Sequence, residues 1–85
     1  MINLSKLDLS DNKIKDIKSL ANCKFLNLLT LNLSKNEIED ITCLQKNLYF
    51  NKLKILNLSN NKIKCLNKID IKSLEYLDLS ENELS

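Results

Sequence analysis

The eleven residues Leu53-Lys-Ile-Leu-Asn-Leu-Ser-Asn-Asn-Lys-Ile63 are one of four copies of a single template. Each copy has leucine at the first, fourth and sixth places, serine at the seventh, asparagine at the ninth and isoleucine or leucine at the eleventh. The copies begin at Leu4, Leu28, Leu53 and Leu74, so they follow one another at 24, 25 and 21 residues. A unit of that length cannot bury its apolar face alone; it is stable when stacked on its neighbours, and the period sets the architecture. This matters for a chain of 85 residues, in which an ordinary globular core is marginal. With 44% hydrophobic and 28% charged residues, the composition is that of a folded domain rather than a disordered one.

Within each copy, leucines alternate with polar residues, which predicts a short strand with its leucines turned inward. Asparagine then turns the chain. Its carboxamide is expected to hydrogen-bond backbone groups of the adjoining coils, satisfying polar groups the turn leaves inside. Asn12, Asn36, Asn61 and Asn82 are therefore read as a structural ladder. After the first turn, Ile14, Ile17, Leu20 and Cys23 recur every third residue, which suits a tight helical or 3₁₀ return, with Asp16 and Ser19 placed to cap it. The second return runs through Ile38, Ile41, Leu44 and Leu48, with Asp40 as the expected N-cap and helical spacing in the run to Leu48, and Tyr49 and Phe50 are expected to fill the core before the next strand. Ile63, Leu66, Ile69 and Ile71 cover a shorter return. No cap sequence is seen at either end, and uncapped coils expose apolar edges. Residues 1–85 thus read as one repeat domain belonging to a longer array, with self-association through the uncapped ends as the competing explanation.

The outward places sort into columns, because strands about 4.8 Å apart set equivalent residues side by side. The third place gives Lys6, Thr30, Ile55 and Tyr76. The fifth gives Asp8, Asn32, Asn57 and Asp78, and the eighth gives Asp11, Lys35, Asn60 and Glu81. The third and fifth columns form the expected partner-binding face, polar and mildly acidic, with an apolar spot at Ile55 and Tyr76. Tyrosine is enriched at interface hot spots, although an Ile–Tyr cross-strand pair also stabilises a sheet on its own. The tenth place (Lys13, Glu37, Lys62, Glu83) and the twelfth (Lys15, Glu39, Lys64) alternate in sign, so each charge is expected to face opposite neighbours.

Several chemistries are unsupported by the residues. The chain has no histidine and no glycine, hence no imidazole base and no phosphate-cradling loop. All 13 basic residues are lysine and the net charge is +2, a balance that favours neither direct nucleic-acid binding nor a membrane surface. Cys23, Cys43 and Cys65 form no C-x-x-C pair and read as reduced structural thiols of an intracellular protein, cytoplasmic or nuclear. Neither a signal peptide nor an apolar run of spanning length is present. The sequons at Asn3, Asn32 and Asn57 fall in or beside the repeated strand pattern and lack a secretory context. Asp8 and Asp11 lie three strand spacings, about 14 Å, from Asp78 and Glu81, too far to share an ion or a scissile bond. Serine without a partner base is inert. A non-enzyme with no cofactor and no metal is expected.

The repeats resemble the short, intracellular class of leucine-rich repeat proteins. Asn12-Lys-Ile-Lys-Asp-Ile-Lys-Ser-Leu20 and Asn36-Glu-Ile-Glu-Asp-Ile-Thr-Cys-Leu44 are similar to the N-x-I-x-x-I-x-x-L returns of the subclass that includes the leucine-rich regulatory subunit of protein phosphatase 1. The resemblance implies an α/β solenoid, with four short parallel strands on the concave face and helical or 3₁₀ returns on the convex face. It also implies binding of another protein through the concave face, in a regulatory or scaffolding role. The alternatives are a structural spacer within a larger array, or a component of an RNA-processing scaffold.

Overall fold

The repeated leucines set the strands in register. The computed structural model describes residues 4–18, 27–41, 44, 51–64 and 71–84. Four strands run through it: β1 (Lys6–Asp8), β2 (Thr30–Asn32), β3 (Ile55–Asn57) and β4 (Tyr76–Asp78). All neighbours are parallel, and the sheet order is the chain order. Lys6 pairs with Thr30, Thr30 with Ile55, and Ile55 with Tyr76, and the leucine and fifth-place columns follow without a slip. Each place of the template is thus a straight row across the sheet.

Backbone bonding repeats from coil to coil beyond the strands. Leu9 N donates to Asn32 O, Leu33 N to Asn57 O and Leu58 N to Asp78 O, each at 2.8 Å. Two residues on, Asp11, Lys35 and Asn60 donate to the carbonyls of Ser34, Ser59 and Ser80, each at 3.0 Å. These three donors and Glu81 all have positive φ, between 56° and 59°. A left-handed conformation costs a residue with a Cβ roughly 1–2 kcal/mol, and here there is no glycine to avoid it. Lys13 is left-handed as well, at 57°. Its counterparts Glu37, Lys62 and Glu83 instead donate their N–H to Ile14, Ile38 and Ile63 of the coil before, and no described coil precedes Lys13.

The core lies behind the sheet. In the two inner coils, Leu28, Leu31, Leu33 and Ile38, with Leu53, Leu56, Leu58 and Ile63, are all fully buried. The same places in the outer coils are more open: Leu7, Leu9, Ile14, Leu74 and Leu79 are partly buried, and Leu4, Leu77 and Leu84 are exposed. An inner coil is covered from both sides and an outer one from a single side. Fully burying a leucine contributes about 1.5–3 kcal/mol, so the inner coils carry most of the hydrophobic stabilisation.

Of the expected returns, only the beginnings and ends are described. Asp16 Oδ1 accepts the N–H of Lys18 at 2.8 Å, the contact an N-cap makes. Leu44 N donates to Ile41 O at 3.1 Å, a single 3₁₀-type turn. No α-helix occurs among the described residues, and Lys18 and Leu44 have 3₁₀ geometry. Ser19, Leu20, Cys23, Cys43, Leu48, Tyr49, Phe50, Cys65, Leu66 and Ile69 lie outside them, and with them the helical course of the convex side and the placement of the thiols. The charge rows also differ from expectation. Within the tenth and twelfth places the pair formed is diagonal, Lys15 Nζ to Glu37 Oε1 at 3.8 Å. A second inter-coil pair, Lys54 to Glu75 at 3.5 Å, comes from the second place. Exposed pairs of this kind contribute about 0–1 kcal/mol, too little to hold long side chains in an ideal row.

Candidate functional site on the concave sheet face

The middle leucine of each strand turns into the core, so the residues on either side of it point to the opposite face. The third-place residues there are Lys6, Thr30, Ile55 and Tyr76. Ile55 is 41% exposed and Tyr76 56% exposed, and the two are direct neighbours across β3 and β4. Lys6 is exposed and Thr30 half-buried. The expected face residues thus share one surface. Its apolar portion is at the β3–β4 end.

The fifth-place side chains hold a bonding pattern that the sequence reading did not foresee. Oδ1 of Asn32 accepts from Ser34 N at 3.0 Å and from Ser34 Oγ at 2.7 Å. Asn57 does the same with Ser59, at 3.0 and 2.8 Å, and Asp78 with Ser80, at 3.0 and 2.7 Å. Asp8 Oδ1 accepts from Ser10 N at 2.9 Å. One oxygen of each side chain is therefore committed to the serine two residues later, which fixes the direction of its other terminal atom. The signal was in the sequence, since serine stands at the seventh place of every copy.

These bonds hold two carboxyls below the ordinary aspartate value. For Asp8 the cause is the Ser10 hydroxyl and then the Ser10 N–H. For Asp78 it is the Ser80 N–H, then the Ser80 hydroxyl, with a smaller part from the Tyr76 hydroxyl. A carboxyl whose pKa is lowered on folding adds stability above its unfolded value, near about 3.9, and loses that stability as pH falls through the folded value. Asp8→Asn with Asp78→Asn preserves the acceptor, as Asn32 and Asn57 do in the inner coils. This double variant is expected to lose less stability than the parent chain between neutral pH and pH values below about 4. Urea titrations across that range check it; identical pH profiles would show that neither carboxylate is coupled to folding.

The ninth-place asparagines lie at the turn, away from this set. Asn36 Nδ2 donates to Leu33 O, to Ser34 O and, across coils, to Leu9 O, while its Oδ1 accepts from Asn12 N and Ile14 N at 3.0 and 2.9 Å. Asn61 reaches back to Leu33 O and accepts from Ile38 N, and Asn82 reaches back to Leu58 O and accepts from Ile63 N. Among the described residues, the side chain of Asn12 bonds to Leu9 O and Ser10 O, both of its own coil. Each of the other three ties its coil to the one before.

Among the described residues, no group of three or more His, Cys, Asp or Glu is placed to hold a metal ion. Nor is any helix there long and apolar enough to cross a membrane.

Stacked coils in strict register, an open sheet face and an asparagine row at the turn define a parallel-strand repeat solenoid. The pattern described as Leucine Rich repeats (2 copies) matches residues 2–48, and the Leucine Rich Repeat pattern matches residues 52–72 and 73–85. The chain belongs to the leucine-rich repeat family, whose domains generally mediate protein–protein interaction. Neither a curated protein nor a solved structure matches it.

Proposed function

We propose that this chain binds a partner protein through its concave sheet face, with Ile55 and Tyr76 as the anchor. In this reading it is a regulatory or scaffolding module inside the cell and performs no catalysis of its own. The supporting observation is the exposed Ile55–Tyr76 pair on a sheet face whose other third- and fifth-place residues are polar. A tyrosine at the centre of a desolvated contact is a common hot spot. The likeness of the asparagine-led returns to the phosphatase-regulating subclass supports a regulatory role. The absence of histidine and of a nucleophile–base pair supports a non-catalytic one.

The test is affinity capture from the source cell's lysate with the intact chain and with an Ile55→Glu, Tyr76→Ala variant, after thermal melts show equal folding. Hot-spot truncations cost about 2 kcal/mol or more each, which is roughly 30-fold in affinity. Partners bound through the concave face should be lost from the variant. An unchanged set of partners would refute the anchor. A second reading, a spacer that stacks within a longer array or on itself, is favoured by the exposure of Leu77 and Leu84 on the last coil. It predicts self-association of residues 1–85 that flanking coils suppress, as read by sedimentation.

A further inference from the structure

We propose that the concave face recognises an extended segment carrying an acidic residue and, two positions along, a basic one. The carboxylate bridges Asn32 and Asn57, and the cation sits on Asp78 and Tyr76. This inference rests on the concave-face reading and specifies the chemistry of its ligand.

The serine contacts assign the asparagine atoms. A backbone N–H only donates, so the Asn32 atom facing Ser34 N and the Asn57 atom facing Ser59 N are oxygens. The amide nitrogens are therefore the outward ends, and among the described residues no acceptor takes either of them. Asn32 and Asn57 are half-buried and adjacent in register, so two fixed NH₂ donors lie one strand spacing apart, about 4.8 Å. The third-place neighbours, Thr30 and Ile55, are neutral. The carboxylates that flank the pair in register, Asp8 and Asp78, each turn one oxygen to a serine, and their charge restricts the anion to the seat between the two asparagines. A pair of donors at that separation suits the two oxygens of one carboxylate, whose hydrogen bonds are strengthened by charge.

In the next coil the same place holds Asp78, fixed by Ser80 in the same way. Its second oxygen is an anionic acceptor where the asparagines present donors. Tyr76 stands two residues before it on the same face, and a carboxylate beside an aromatic ring is a favourable seat for Lys or Arg. At the other end, Asp8 is accompanied at the third place by Lys6, which opposes a cation. The face therefore has a direction, anion over β2 and β3, cation over β4.

Spacing selects the conformation. From midway between Asn32 and Asn57 to Asp78 is one and a half strand spacings, about 7 Å. Same-face residues of an extended chain are about 6.8 Å apart, whereas helical neighbours at three and four positions rise about 4.5 and 6 Å. The extended segment is the closer fit.

The experiment is selection of short random peptides displayed against the 85-residue chain and, in parallel, against its Asn32→Asp, Asn57→Asp variant. Asp8 and Asp78 show that aspartate makes the same serine contact at this place, so the variant should fold, and thermal melts verify that it does. The parent chain should enrich acidic–any–basic sequences. The variant should drop the acidic residue while keeping the basic one, and should bind the parent's peptides at least roughly tenfold more weakly. No enrichment, an acidic–basic spacing of three or four, or an acidic preference that survives on the variant would each overturn the inference. Ile55→Glu separates the two levels. Unpatterned peptides that lose binding to Ile55→Glu leave the concave-face reading intact and sink only this inference. Peptides indifferent to every concave-face variant sink both.

Discussion

Asn61→Ala is expected to be among the most destabilising polar substitutions in this protein, costing about 3–6 kcal/mol. Asn61 is only 6% exposed. Its Nδ2 donates to the carbonyls of Leu33 and Leu58 at 3.0 Å and of Ser59 at 3.2 Å, and its Oδ1 accepts from Ile38 N at 3.1 Å. Alanine leaves the buried Ile38 N–H without its acceptor, at about 1–3 kcal/mol, and removes one donor from each of the three carbonyls, at about 0.5–1.5 kcal/mol apiece. Leu33 O, Leu58 O and Ser59 O keep Asn36 Nδ2, Asn82 Nδ2 and Lys35 N. The total stability expected of a chain this long is about 4–13 kcal/mol, so the variant should lose a large share of it. Asn12→Ala at the same template place should cost under about 1 kcal/mol, because its two carbonyl partners, Leu9 and Ser10, lie at the exposed side of the stack and water replaces the amide. Urea denaturation of the two variants decides the matter. Equal losses would mean that the asparagine acts through local turn propensity and not by joining coils.

Leu56→Ala is the second large effect. Leu56 is fully buried in β3, and removing most of a buried leucine costs about 2–5 kcal/mol when the site cannot collapse. Leu77, its neighbour in register on β4, is 37% exposed, so the same substitution there should cost under about 1.5 kcal/mol. Two residues with the same place in the template thus differ several-fold in weight. Chemical denaturation of both single variants would read that difference directly. If Leu77→Ala matched Leu56→Ala, the last coil would have to be covered by something in solution, most simply a second copy.

That contrast also shows where the sequence was legible. The rows of leucines, the parallel register and the set of residues sharing the outward sheet face could be read from Leu4, Leu28, Leu53 and Leu74 onward, because a repeat writes the same local rule several times. Burial could not be read in the same way. Leu7 and Leu31 have equivalent surroundings in the template, yet only Leu31 has a coil on each side. The serine contacts were missed because they depend on the rotamer of a fifth-place side chain. The left-handed turns were hidden for a different reason: such turns are usually marked by glycine, and here Asp11, Lys35, Asn60 and Glu81 adopt them. Among the charge rows the ion pair formed, Lys15 to Glu37, is diagonal, because exposed lysine and glutamate side chains choose among several partners at little energetic difference. The chemistry of the fifth place was visible as residue types, but which atom faces outward required the structure.

The backward reach of Asn36, Asn61 and Asn82 bears on how the chain comes apart. Every inter-coil link described runs between consecutive coils, so cooperativity is passed from neighbour to neighbour. The inner coils are clamped from two sides and the outer ones from one. Amide hydrogen exchange should accordingly be slowest around Leu31 and Leu56 and faster around Leu7 and Leu77, since local opening needs only the links of the coil that opens. Fraying at β4 would release Tyr76 and Asp78 while β2 and β3 stay assembled. A partner that grips both halves of the concave face would then act as a clasp, slowing exchange in the last coil far more than in the middle of the stack.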